Sequence, residues 1–349
     1  MAYLHSINIQ IRLYPPFAVF PRFSSGKPYF KEHEICIKTC GNLYQKWREE
    51  RKFRNVPHGD LQFKITYFDN GNSVLKARKS LPTILAIHGA PGSYKDFIGL
   101  SNYFEQKARV IIPNFPDFSV YKPGVFRFSD EEKAQLTKDF LAAISVSRID
   151  VLAVHSSGVY PGLHLCLDNN LPIKSLIMLN PGTYSYDMRA VKHIKFMRTL
   201  VEASEVSVFM KILPYLGPIL LKLAKVPVRT DNFLDPLLSA TTMVYTNVPG
   251  AKERFLHLSQ KKFPILYAFS KDDKLIGDKC AYELAHLLGV SNAEIYSYDK
   301  DGNLKNEGKN NPVLKVMSFE KGSHYVFWKH ADIIFPAIEE FLRRNMIDV

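Results

Sequence analysis

Long apolar runs are missing from this chain of 349 residues. The longest stretch free of Asp, Glu, Lys and Arg is Val151–Leu167, 17 residues that include His155, Ser156, Ser157, Gly158 and Pro161. A membrane-spanning helix needs about 20 consecutive apolar residues, so none is expected. Cysteine is scarce as well. Cys36, Cys40, Cys166 and Cys280 form no C-x-x-C pair and no zinc spacing with nearby histidines, which argues for reduced thiols in a cytoplasmic protein and against a disulfide framework. There is no P-loop, no dinucleotide fingerprint, no metal-ligand cluster and no internal repeat, so neither an organic cofactor nor a metal is expected. A compact basic-then-apolar signal sequence is also lacking. The first acid is Glu32, preceded by Arg12, Arg22, Lys27 and Lys31. That acid-free basic stretch keeps a mitochondrial address open as the alternative to the cytoplasm, although Pro15, Pro16 and Pro21 interrupt the long amphipathic helix a transit peptide would use.

What is present is an ordinary globular composition, 46% hydrophobic and 23% charged, long enough for a sizeable core. The net charge of +12 is uneven. Residues 1–64 hold 11 Lys+Arg against 5 Asp+Glu, residues 185–262 hold 12 against 6, and the remainder holds 23 against 23. A nucleic-acid partner would call for an interleaved basic and aromatic face. The nearest run, Tyr44–Arg54, is split by Glu49 and Glu50 and reads as a solvated helix, so no nucleic acid is expected.

From about residue 60, short apolar runs alternate with amphipathic segments. Strands are predicted at 60–68, 83–88, 109–113, 149–154, 175–179, 264–269 and 313–319. Helices are predicted at 96–107, 129–145, 157–169, 278–288 and 331–345. Ser129 with Glu132 makes a capping box for the second of these. Buried strands separated by helices mean a mostly parallel sheet with helices on both faces. Between residues 185 and 262 the alternation stops and the pattern is helical. The organisation is thus an N-terminal extension (1–59), a core (60–184 and 263–349) and a helical lid (185–262), with a polar hairpin tip at 299–311.

Three motifs fall at the carboxyl ends of predicted strands, where open α/β sheets place their sites. They are Val154-His155-Ser156-Ser157-Gly158, Ser270-Lys271-Asp272-Asp273 and Gly322-Ser323-His324. A serine on a strand-to-helix elbow, followed along the chain by an acid and then a histidine, is the triad order of α/β-hydrolases. His88-Gly89-Ala90-Pro91-Gly92-Ser93 and Asn114-Phe115-Pro116-Asp117-Phe118 complete the set. With these motifs, residues 60–345 resemble the α/β-hydrolase superfamily. The likeness is to its epoxide-hydrolase and prolyl-aminopeptidase branch, and to a nematode group of α/β-hydrolase-like proteins of unknown function.

A serine hydroxyl is a poor nucleophile until a neighbouring base takes its proton. The resemblance implies Ser156 as nucleophile, His324 as base and Asp273 as the acid that orients it, with the N–H groups of Ala90 and Ser157 as oxyanion hole. Ser157 stays open as a neighbouring nucleophile and Asp272 as an alternate acid. His88 is expected to prop the oxyanion loop and His155 to pack in the elbow. Two departures stand out: Val154 and Ser270 occupy positions where the superfamily usually has glycine. Val154 crowds the elbow and keeps open a catalytically weak or inactive binding protein. Serine rather than aspartate at the elbow argues against epoxide hydrolysis and dehalogenation. It suits esters and related carbonyl compounds. Within the lid, Val206–Val228 reads VSVFMKILPYLGPILLKLAKVPV. One reading is a set of helices roofing the pocket, which favours an apolar acyl substrate; the other is an amphipathic surface that meets membrane or lipid, its lysines toward anionic headgroups.

Overall fold

The computed structural model describes residues 32–53, 55–71, 81–116, 125–185, 188–205, 207–223, 234–309 and 311–345. The acid-free stretch before Glu32 lies outside them, as do Asp117 and Phe118. Ten strands form one sheet: β1 (Glu32–Thr39), β2 (Leu61–Asp69), β3 (Thr83–Ile87), β4 (Arg109–Pro113), β5 (Ile149–Ser156), β6 (Ile173–Pro181), β7 (Ile265–Ser270), β8 (Tyr296–Tyr298), β9 (Leu304–Asn306) and β10 (Leu314–Phe319). Their order is β1-β2-β4-β3-β5-β6-β7-β10-β8-β9. The pairs from β4 through β3, β5, β6, β7 and β10 to β8 are parallel, while β1 and β2 at one edge and β9 at the other run antiparallel to their neighbours.

Helices cover both faces, because side chains alternate across a strand and every central strand is apolar on both sides. Leu85, Ile87, Leu152, Val154, Leu176, Met178, Tyr267 and Phe269 face one core. There they meet α1 (Gly41–Glu49), α3 (Asp130–Ala143), α4 (Val159–Cys166), α8 (Val248–Gln260) and α9 (Asp278–Leu287). The intervening residues Ile84, Ala86, Val151, Ala153, Ile177, Leu179, Leu266 and Ala268 face the second core, with α2 (Ile98–Tyr103), α10 (Val326–Lys329) and α11 (Ala331–Asn345). The expected capping box at Ser129 and Glu132 is present at the start of α3.

Between β6 and β7 the chain forms α5 (Met188–Ser204), α6 (Ser207–Leu223), α7 (Leu234–Tyr245) and α8. Two parts of the sequence reading need amending. Residues 32–49, assigned to the extension, belong to the body: β1 pairs with β2 along its whole length, and Tyr44 and Trp47 of α1 are fully buried. The hairpin tip is shorter than 299–311, because β9 lies inside that span and pairs with β8.

Candidate active site

β5 is buried along seven of its eight residues and ends at Ser156, whose φ of +52° is the left-handed backbone of a sharp strand-to-helix turn. The turn is closed by the Gly158 N–H, which donates to the His155 carbonyl at 2.9 Å, and α4 starts at once. Glycine is required at 158: a Cβ there would come within 2.6 Å of the Ile87 carbonyl and 2.8 Å of the His88 carbonyl. Val154, two residues before the serine, is fully buried and in register with Ile87 and Met178. The room it takes is given up by the helix. Gly162 of α4 lies opposite, where a Cβ would sit 2.9 Å from Val154 Cγ1. The missing elbow glycine is therefore offset one turn into α4, and the strand–turn–helix geometry is kept.

The three strand ends bring their side chains together. The Ser156 hydroxyl lies 2.9 Å from His324 Nε2, and His324 Nδ1 lies 2.7 Å from Asp273 Oδ2. An imidazole that donates from Nδ1 to the carboxylate has Nε2 free to accept the serine proton. Neither Ser157 nor Asp272 makes these contacts among the described residues. Among the described residues Ser157 is buried with its hydroxyl unpartnered, while Asp272 accepts the Gly322 and Ser323 N–H groups at 2.9 and 2.8 Å and so braces the histidine turn. Burial raises the Asp272 pKa, but those two amides and the Lys321 ammonium outweigh it and hold the carboxyl below its usual range. Ser270, the second departure, donates to the Ser323 carbonyl and ties the same turn to β7.

On the facing side, Gly89 presses against Ser156, and a Cβ there would be 2.7 Å from Ser156 Cβ and 3.1 Å from Oγ. Ala90 follows, half-buried. His88 props this loop as expected: its Nδ1–H donates to the Gly89 carbonyl at 2.7 Å and its Nε2 accepts the Phe115 N–H at 3.0 Å. Burial pushes its pKa down to about 4, so it is neutral and does not titrate near pH 7. His155 does more than pack, because its Nε2–H donates to the His324 carbonyl at 2.9 Å and its ring lies 4.8 Å from that of His324. Burial, and then the neighbouring His324, push its pKa well below the usual value.

Two residues were missed from sequence. Asn180, at the end of β6, donates from Nδ2 to Asp273 Oδ2 at 2.9 Å and accepts the Val326 N–H at 3.1 Å. It bridges the acid to the segment that follows His324. An Asn-Pro pair directly after the apolar run Leu176–Leu179 is the signal. Asp96 is the other: burial pushes its carboxyl up to about 7, with the Ser93 amide and His324 as smaller opposing influences, and its Oδ2 is unpartnered among the described residues. Nothing in the sequence separated it from a helix-start aspartate.

Comparison with known proteins gives the following. A family model described as alpha/beta hydrolase of unknown function (DUF1057) matches residues 57–343. An uncharacterised protein of Caenorhabditis elegans is 27% identical over 109 residues, which is 29% of this chain and 30% of that protein's length. Among solved structures, the chain is similar to a haloalkane dehalogenase from Bradyrhizobium elkani, at 13% identity and a TM-score of 0.58, with 92% of this chain and 100% of the other covered. It is also similar to a thermophilic esterase from Thermogutta terrifontis, at 14% identity and a TM-score of 0.56, with 90% and 99% covered. Likeness at this level of identity carries the fold, not the reaction.

Proposed function

The chain belongs to the DUF1057 family of alpha/beta hydrolases, and from that premise we propose that it is a serine hydrolase acting on a carboxylic ester or a related carbonyl compound, with an apolar acyl group. The observation that carries this is the Ser156–His324–Asp273 chain, 2.9 and 2.7 Å long, on an elbow whose serine has a φ of +52°. As the Ser156 hydroxyl attacks the substrate carbonyl carbon, its proton passes to His324 Nε2. Asp273 holds the Nδ1–H and stabilises the imidazolium that results, its own position fixed by Asn180 and by the Leu275 and Ile276 amides at 2.8 and 3.2 Å. The N–H groups of Ala90 and Ser157 receive the oxyanion, each such donor being worth about 3 kcal/mol in the transition state. His324 then protonates the leaving alkoxide. Water enters, gives a proton to His324 and cleaves the acyl-enzyme, and the proton returns to Ser156.

Ser156 at the elbow speaks against halide displacement, despite the structural likeness to a dehalogenase. Gly162 speaks for an intact elbow and against the inactive reading that Val154 had kept open. The apolar acyl preference rests on the cap formed by α5, α6 and α7, whose chain leaves β6 beside Ser156: the Gly182 N–H donates to the Ser156 carbonyl at 2.9 Å. Its own core is Met197, Leu200, Val201, Leu213, Leu237 and Ala240. Hydrolysis of p-nitrophenyl esters of increasing chain length tests both parts. A kcat/KM that rises with chain length is expected. Equal turnover of short and long esters would remove the acyl preference, and a folded protein inert toward every ester and thioester would remove the hydrolase reading.

A further inference from the structure

Two groups of side chains among the described residues lie outside the site, a buried polar group around Asp130 and an exposed apolar stripe on α6. The first serves the packing of the body: Asp130 accepts from His164 at 2.9 Å and Arg254 at 3.1 Å, and so ties α3, α4 and α8 together. The second does not. Among the described residues ten large hydrophobic side chains are exposed, and seven of them are on this one helix. These are Val208, Phe209, Ile212, Tyr215, Leu216, Ile219 and Leu223, with Val208 64%, Tyr215 79% and Leu223 75% exposed.

The cause is visible in the spacing. Among the side chains of this helix that are described, Leu213, Gly217 and the half-buried Leu220 face inward, at intervals of four and three residues. The exposed set recurs at helical intervals on the side next to that line and forms a continuous stripe along four turns. A patch of that size on one element marks a surface that meets something apolar. Charge names the partner. Lys211 is exposed beside the stripe. From Glu205 to Asp231 the chain carries Lys211, Lys222, Lys225 and Arg229 with no acid between. A second copy of this helix would bring cations against cations. An anionic lipid surface takes both halves of the pattern, acyl chains receiving the stripe and headgroups receiving the lysines.

We propose that the outer face of α6 docks the protein on an anionic membrane surface, lying in the interface and not crossing it; no helix among the described residues is long and apolar enough to span a bilayer. This does not rest on the catalytic reading, and its test needs no turnover. Full-length protein is mixed with sucrose-loaded vesicles of phosphatidylcholine, with and without about 30% phosphatidylserine, and the bound fraction is read by sedimentation. Wild type should bind the anionic vesicles several-fold more tightly than the neutral ones. Lys211→Glu should weaken anionic binding at least about fivefold, the effect of one cation near a charged surface, and more at low salt. Leu216→Asp with Ile219→Asp should weaken it at least about tenfold. Both side chains are exposed, so the melting temperature should not move. Wild type that ignores anionic vesicles, or a folded double variant that binds like wild type, overturns the proposal. So does a wild-type dimer in solution that the double variant dissolves, which would make the stripe a self-interface.

Discussion

Around Ser156, Asn180 and the amides of Leu275 and Ile276 fix the acid, and His155 and Asp272 fix the backbone of the histidine turn. Along α6, by contrast, Leu213 and Gly217 face inward among the described side chains while the neighbouring side of the helix meets solvent. The first region takes its geometry from the two cores of the sheet, so a change there reaches chemistry and stability together. The second borrows almost nothing from the sheet, so a change there should leave both intact and appear only in what the surface binds. The uneven net charge follows the same division: the body is balanced, and the excess belongs in part to the cap.

The sharpest way to break this contrast is at the base and the acid. His324→Asn and Asp273→Asn should each lower kcat on a p-nitrophenyl ester by roughly 10³- to 10⁴-fold, whereas any single substitution on the outer face of α6 should leave hydrolysis of a short soluble ester within twofold. A next, smaller effect concerns the elbow. Gly162→Ala places a Cβ 2.9 Å from Val154 Cγ1, and overpacking costs about 1–3 kcal/mol against a gain of up to about 1 kcal/mol in helix propensity. Net destabilisation in a chemical melt is expected, and adding Val154→Ala should cost much less than the sum of the two single changes. Additive costs would mean that Gly162 does not make room for Val154.

Asp96 gives a pH-dependent version of the same test. Burial raises its carboxyl from 3.8 to about 7, so the folded state favours the protonated form. The stability it contributes is complete at and below about pH 4, declines as pH rises to about 7, and stays lost above that. Asp96→Asn should flatten that portion of the stability–pH curve; an unchanged slope would show that the carboxyl is not the group responsible. The smallest effect is on α6, where Leu216→Asp with Ile219→Asp should change unfolding free energy by no more than about 0.5 kcal/mol. A large loss there would mean that the stripe is core, and the contrast would fail.

Much of this architecture was legible from period and punctuation. Apolar runs such as Thr83–His88 and Val151–Val154 had to be central strands, and the three loops after β5, β7 and β10 carried the serine, the acid and the histidine in order. The edges were less legible. β1, Glu32–Thr39, alternates exposed and inward residues around Ile35 and Ile37, a half-solvated pattern easily taken for loop among so many charges, and β8 and β9 have only three residues each. The choice between Asp272 and Asp273 depended on which carboxylate reaches the ring and which the backbone, a matter of a fraction of a turn. Gly162 looked like any helix glycine, since its role lies in what faces it across the strand. Asp96 and Asn180 required knowing which strand ends converge.

The most direct test of the central claim is covalent. The folded protein is treated with a fluorophosphonate, its intact mass is measured, and the modified peptide is sequenced by mass spectrometry. One adduct per chain, on Ser156, abolished in Ser156→Ala and strongly slowed in His324→Asn, is the predicted result. A folded wild type that stays unmodified, or an adduct on Ser157 or elsewhere that survives Ser156→Ala, would contradict it.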